Sequence, residues 1–350
     1  MAAGADVAPA LQRAWLARGP LAVALLPLSA LFALLAALRR LLYRIGVLRQ
    51  ERVPVPVIVV GNLVVGGAGK TPTVMAVVSL LRRRGFTPGV ISRGYGGSHE
   101  AVVDVEPTTP VAQCGDEPLL LRLRLGVPVT VARDRVAAAR ELLRRHPQVD
   151  ILVSDDGLQH LRLARDAQVL VFDERGAGNG WLLPAGPLRE PLGARMPPAS
   201  VVLYNAATAS TAWPGTLARR SLAGVLPLSD WRAGAAASRA ALAQLSGRRV
   251  VAAAGVARPQ RFFDLLRAAG LDVETLPLPD HHDFAALPWP TTTADVVVTE
   301  KDAVKLDPRR IGATRVWVAP LDFDIDATFE AALLALLPTT DRTDHGHPIA

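Results

Sequence analysis

The sequence predicts an α/β protein with a doubly wound, mostly parallel sheet, a second, smaller α/β domain and an N-terminal membrane-associated helix. Three observations carry this. Short β-branched runs alternate with helix-period segments from residue 55 onward, the pattern of strands joined by crossover helices. The composition turns to Ala, Ser, Thr and Gly over 206–241, and a second strand–helix–strand pattern follows. Ahead of both, Gly19–Leu38 runs for twenty residues without a charge.

At about 1.5 Å per residue that uncharged run measures roughly 30 Å, the thickness of a bilayer's hydrocarbon core. Arg39, Arg40, Arg44, Arg49 and Arg52 follow it. Their position puts the body of the protein on the cytoplasmic side. Pro20 and Pro27 leave open whether the segment spans the membrane or lies in its interface, and a buried core helix is the alternative. Half of the 350 residues are apolar and the net charge is +7, nearly all of it from arginine, which suits an anionic inner-membrane surface. The other common partner of a basic chain is nucleic acid, and nothing here resembles a nucleic-acid-binding module. Cys114 is the single cysteine, which excludes an intrachain disulfide and a thiolate metal site.

Val55–Val60 has the length and branching of a buried parallel strand. It breaks into Gly61, Asn62, Gly66, Gly67, Ala68 and Gly69 before Lys70, Thr71 and Pro72. Glycines let backbone N–H groups turn inward around a polyphosphate, Lys70 offers a mobile cation to it, and Thr71 offers a hydroxyl to Mg²⁺. Val64 stands where the strict pattern has its first glycine, and a glycine-rich turn with a chance lysine is the alternative. The strand before the loop and the helix after it, with Val74, Val77, Val78 and Leu81 on one face, favour a P-loop NTPase-like unit. Pro72 is tolerated in a first helical turn.

Further strands are expected at Gly89–Ser92, Val127–Val131, Val149–Ser154 and Ala167–Asp173, with a helix over Arg133–Arg145. Ligands of such sheets sit at the carboxyl ends of the strands. Asp155 and Asp156 end one strand and are the metal candidates, with a solvated turn as the alternative. Asp116, in GDEP, is a general base or a helix N-cap. Arg189, in a Gly- and Pro-rich loop, offers charge to a transferred phosphoryl group, and a surface salt bridge is the alternative. The smaller unit is expected as Arg249–Ala254 (strand), Pro259–Ala269 (helix) and Val273–Leu276 (strand), with strands at Val296–Thr299 and Val316–Val318. In PDHHDF, the adjacent His281 and His282 diverge too far to bind one metal, and a His–Asp relay or a polar loop remains. The boundaries read as an anchor over 1–48, a P-loop kinase core over 49–205, a linker over 206–241, the smaller domain over 242–337 and a disordered tail over 338–350.

GNLVVGGAGKTP, SRGYGG, GDEP, SDDGLQH, GNGWLLPAGPLREP, AGVARPQRFF, PDHHDF and TEKDAVKL stand in this order between Arg49 and Leu306. In this the chain closely resembles the tetraacyldisaccharide 4′-kinase family. The resemblance implies ATP and Mg²⁺ as cofactors, and phosphorylation of the 4′-hydroxyl of an acylated glucosamine disaccharide 1-phosphate at the inner membrane, giving lipid IVA. It implies that Lys70 and Thr71 hold ATP phosphates and metal within the cradle Asn62–Pro72, and that Asp155 and Asp156 serve the metal. It implies Asp116 as base, His281 or its neighbour His282 as its helper, Arg189 and Glu190 in the active site, and Tyr95 against substrate or nucleotide. A membrane-associated P-loop switch or motor is the alternative, but it leaves GDEP, LREP and the DHH run without work.

Overall fold

The computed structural model describes residue 11 and residues 14–338. Its larger sheet is built around strand β1 (Val57–Gly61), an unbroken buried apolar run. To one side lie β5 (Ile151–Asp155), β2 (Pro88–Ser92), β4 (Val129–Val131) and the short β3 (Val103–Asp104); to the other lie β6 (Ala167–Asp173), β7 (Ser200–Asn205) and β8 (Thr216–Leu217). Only the β3–β4 pair is antiparallel. Both faces are covered: Val77, Val78 and Leu81 of helix α3 (Lys70–Arg83) belong to one apolar cluster, and Val136, Ala139 and Leu142 of α6 (Arg135–Arg145) belong to another. Burial on both faces is why the strands read as continuous apolar runs rather than as alternating ones.

Register then sets the site. β1 and β5 are parallel neighbours with Val60 opposite Asp155, so the loops after the two strands leave side by side. β7 is not among the strands expected from the sequence.

The smaller sheet orders β10 (Leu226–Pro227), β14 (Arg315–Val318), β13 (Asp295–Val298), β11 (Arg249–Ala254) and β12 (Asp272–Pro277), parallel except for β10. Helix α9 (Pro259–Ala268) buries Phe262, Phe263 and Leu266 against it. β12 and β13 flank β11, so the loops carrying PDHHDF and TEKD emerge together.

The stretch 206–241, expected as a connection, carries structure along its path. β8 closes the first sheet, β9 (Arg219–Leu222) pairs with β15 (Leu321–Asp324), and β10 opens the second sheet. The last helix, α11 (Ala327–Leu334), returns to pack on β7, and its Glu330 pairs with Arg83 of α3 and with Arg84, which caps that helix. The smaller unit drawn at 242–337 therefore gives its final helix to the larger one. No pattern local to 327–334 says which sheet that helix covers. The tail expected beyond Pro338 lies outside the described residues.

At the amino end, α1 (Pro20–Ala24) leads into α2 (Leu26–Arg44). Leu28, Leu31, Leu34, Leu35, Leu38 and Leu41 are all exposed on α2, while Ser29 is buried against the body. Ser29 Oγ donates to Leu182 O at 2.9 Å and accepts from Ala185 N. Arg39 Nη1 donates to Gln159 O at 3.1 Å. The loop GNGWLLPAGPLREP thus has a structural task that its composition does not reveal: it is the seat of the N-terminal segment. Asn179 Nδ2 donates to Ala14 O and Ala17 O, and the Arg18 guanidinium lies over the Trp181 ring.

Candidate active site

The loop after β1 is held in shape by its own side chains and its neighbours. Asn62, fully buried, donates to Gly66 O at 3.0 Å and accepts from Lys70 Nζ at 3.3 Å. Gly69 is left-handed (φ 91°), and a Cβ there would come within 2.2 Å of Asn205 Nδ2, which itself donates to Ala68 O at 2.8 Å. Arg175, braced by Asp173, donates to Val65 O and Gly67 O. Lys70, Thr71 and Pro72 then form the first turn of α3, whose free N–H groups and dipole favour an anion at this position. Asn205 is not predicted by the sequence, since it lies more than a hundred residues from the loop it supports; Arg175, which stands with Arg189 among the arginines of the Glu174–Pro191 loop, braces the phosphate loop through its backbone oxygens.

Across the β1–β5 boundary, Asp156 Oδ2 lies 3.7 Å from Lys70 Nζ and Asp156 Oδ1 accepts from Arg189 Nη1 at 3.2 Å. Arg189 also donates to Gln159 Oε1, and Gln159 Nε2 donates to Glu190 Oε1 at 3.1 Å. Arg189 is thus a half-buried cation paired with Asp156, next to Lys70. Arg40 of α2 approaches Glu190 at 4.0 Å. Beneath them Asp155 is 1% exposed, and its Oδ1 has no hydrogen-bond partner. Burial, with the Glu117 carboxylate next in weight, pushes its carboxyl up to about 7 against the pull of Lys70 and Arg135. Arg135, which no sequence motif marks, is buried and donates to Asp155 O and Asp156 O, fixing the turn.

The second cluster draws on both sheets. Asp116 is the first residue of α5 (Asp116–Leu125) and not its N-cap; Gly115 takes that position at φ 88°. The Asp116 side chain is 4% exposed, and its Oδ2 is 2.9 Å from His281 Nδ1. His282 turns away: its Nδ1 accepts from Phe284 N, and its ring packs edge-on against Phe284. The left-handed backbone at His281 (φ 60°) is what sends two consecutive histidines in different directions. Tyr95, 70% exposed, tilts over His281 with ring centroids 5.8 Å apart. Lys301 Nζ reaches Glu117 Oε1 at 3.3 Å and His281 Nε2 at 3.4 Å, and Lys305 Nζ reaches Asp302 Oδ1 at 3.2 Å. Asp116, His281 and Tyr95 open into a cleft of about 910 Å³ whose other walls include Pro110, Val111, Leu119 and Val304. Glu117 joins the two clusters, bonding to Lys301 on one side and acting on Asp155 on the other.

A phosphate cradle after a strand of one sheet, with a carboxylate–imidazole pair of a buried Asp116 and an exposed His281 drawn from loops of both sheets, is the arrangement of a P-loop kinase. Comparison with known proteins narrows the class. The family model for tetraacyldisaccharide-1-P 4′-kinase matches residues 21–338, and the chain belongs to that family. The tetraacyldisaccharide 4′-kinase of Methylibium petroleiphilum is 56% identical over 340 residues, 95% of each chain. That of Leptothrix cholodnii is 55% identical over 336 residues, 95% of this chain and 97% of the other. A crystal structure of LpxK from Aquifex aeolicus in complex with ATP superposes with a TM-score of 0.75 at 27% identity, covering 91% of this chain and 100% of that one.

Proposed function

We propose that the protein transfers the γ-phosphate of ATP to the 4′-hydroxyl of a tetraacylated glucosamine disaccharide 1-phosphate, giving lipid IVA, at the cytoplasmic face of the inner membrane. The observation that carries this reading is the Asp116–His281 pair, a base with an orienting partner, opening onto a cleft and joined through Glu117 to Asp155. A switch or motor has no use for such a pair.

Lys70 and the N–H groups at the start of α3 hold the phosphates, while Asn62 keeps the Lys70 ammonium in the loop. Arg189, oriented by Asp156 and Gln159, faces the charge that builds on the transferring group. Asp116 takes the proton of the attacking hydroxyl, a contribution of typically about 10²- to 10⁴-fold. The donor set suits Mg²⁺. The partnerless Oδ1 of Asp155, the Asp156 carboxylate and the Thr71 hydroxyl are hard oxygens, and Mg²⁺ is usually held by one or two carboxylates with phosphates and waters completing its shell. When bound, Mg²⁺ supplies charge neutralisation on the β- and γ-phosphates. The test is transfer of labelled γ-phosphate to the tetraacylated disaccharide 1-phosphate in detergent. Loss of lipid product in both Lys70→Ala and Asp116→Asn supports the reading. Wild-type ATP hydrolysis without any lipid product refutes it.

The helix α2 lies in the membrane interface rather than across it. Ser29 and Arg39, ten residues or about 15 Å apart along the helix, both bond to the body, so crossing would pull the body into hydrocarbon. The exposed leucines are then the inserted face. The double variant Leu31→Glu/Leu38→Glu is expected to stop floating with anionic phospholipid vesicles; unchanged flotation would overturn this placement.

A further inference from the structure

The turn after β13 brings Lys301 against the Asp116–His281 pair in a way that neither the phosphate loop nor the metal site requires. Lys301 lies in the short helix Glu300–Ala303, whose N-cap Thr299 accepts from Asp302 N, so the side chain starts from a fixed point. Its Nζ has Glu117 Oε1 at 3.3 Å, His281 Nε2 at 3.4 Å, Asp280 Oδ1 at 3.6 Å and Asp116 Oδ2 at 4.0 Å. The groups facing the pair are therefore Glu117 on α5, Asp280 on the histidine's own loop, Lys301 and Lys305 on the turn after β13, and the Tyr95 ring. Lys305 is already matched by Asp302 and lies over the Phe284 ring. Lys301 is paired with Glu117 at 3.3 Å and still meets His281 Nε2 at 3.4 Å.

An ammonium has three N–H donors and no acceptor. The ring nitrogen that meets it must therefore accept, and a neutral imidazole that accepts at Nε2 carries its proton on Nδ1. That is the nitrogen 2.9 Å from Asp116 Oδ2, so the ring donates to the carboxylate. We infer that Lys301 is the positioning residue of the catalytic pair: its ammonium holds His281 in the Nδ1–H tautomer, which points the free lone pairs of Asp116 at the acceptor hydroxyl. Burial works against charge on Lys301, but the carboxylates of Glu117, Asp116 and Asp280 outweigh it and hold the ammonium above the ordinary lysine value.

This rests on reading Asp116 as the base, and it changes what happens to the proton. As the sugar O–H bond breaks and the new P–O bond forms, the proton bonds to Asp116. It does not pass to His281, whose Nδ1 already carries hydrogen and whose Nε2 faces a donor. The imidazole orients the carboxylate and takes no part as a second base.

The test is long-range ¹H–¹⁵N correlation on full-length enzyme carrying ¹⁵N-labelled histidine at pH 8, with His281 assigned by its loss in His281→Gln. The expected wild-type spectrum has a protonated Nδ1 and a bare Nε2. In Lys301→Met, Asp116 still draws the Nδ1 proton, but Nε2 has lost its donor and faces Asp280, so Nε2 gains protonation; kcat falls by about ten- to a hundredfold, the usual scale for an orienting partner, while KM for ATP stays within about twofold. Lys301→Arg, which also offers only donors, restores the tautomer and part of kcat. A wild-type His281 protonated on Nε2 would overturn the inference by itself, even if the methionine variant failed to fold. A folded Lys301→Met with wild-type kcat would overturn it too. The spectrum is read on the resting enzyme, so its outcome does not depend on whether lipid product forms.

Discussion

Replacing Asp155 by Asn is expected to stabilise the nucleotide-free protein while ending its activity. The carboxyl rises from 3.8 to about 7 on folding, chiefly through burial. At about 1.36 kcal/mol for each pH unit, that rise costs the folded state at most about 4 kcal/mol once the group is ionised. Because the folded pKa lies above the unfolded one, the native state binds the extra proton between about pH 4 and pH 7, and stability falls as pH rises through that window. Asparagine carries no charge but still buries an amide, at a cost of about 2 kcal/mol, which leaves a net gain of about 2 kcal/mol above pH 7. For a chain of this length that is roughly 3 °C in Tm. The assay is thermal unfolding of both proteins in EDTA from pH 5 to pH 8. The variant should melt higher at pH 8, and the difference should shrink toward pH 5. Equal melting at every pH, or a difference that does not change with pH, would refute the account of Asp155 as a costly buried charge kept for a ligand.

His281→Ala should lower kcat by about 10²-fold or more, because it removes the partner of the base, whereas His282→Ala should lower Tm with kcat nearly intact, because its ring packs on Phe284. Steady-state kinetics beside melting curves separates the two. Gly69→Ala should weaken ATP binding and destabilise the protein by about 1–3 kcal/mol, since φ 91° and the 2.2 Å approach to Asn205 both oppose a side chain, and nucleotide titration with denaturant unfolding would measure it.

Much of the site is legible in the sequence because its parts are local. A glycine-rich turn between an apolar strand and an amphipathic helix needs only neighbouring residues, and so do an acidic pair at a strand end and the order of the eight motifs. Residues whose work lies far along the chain give no signal. Arg135 reaches the Asp155–Asp156 turn and Asn205 reaches Ala68, each through a strand order that local periodicity does not encode; TEKDAVKL marks the loop of Lys301 but not its partner His281. The choice between His281 and His282 is open in the sequence for the same reason, and a single left-handed residue decides which ring meets Asp116. In the loop from Gly178 to Glu190 only the charged end stands out from composition, yet Asn179, Leu182 and Ala185 spend their bonds holding the N-terminal segment.

The sequence by itself determined the α/β class, the strand-borne phosphate loop and an apolar amino-terminal helix, because hydrophobic period, glycine content and charge are properties of contiguous residues. Only the tertiary structure decided that Asp155 is buried with a partnerless oxygen while Asp156 meets Lys70 and Arg189. It also decided that Asp116 and His281, 165 positions apart, share a hydrogen bond, and that the apolar helix lies along the body with its leucines outward. Those outcomes depend on which strands lie side by side and in what register, which the packing of the whole chain settles.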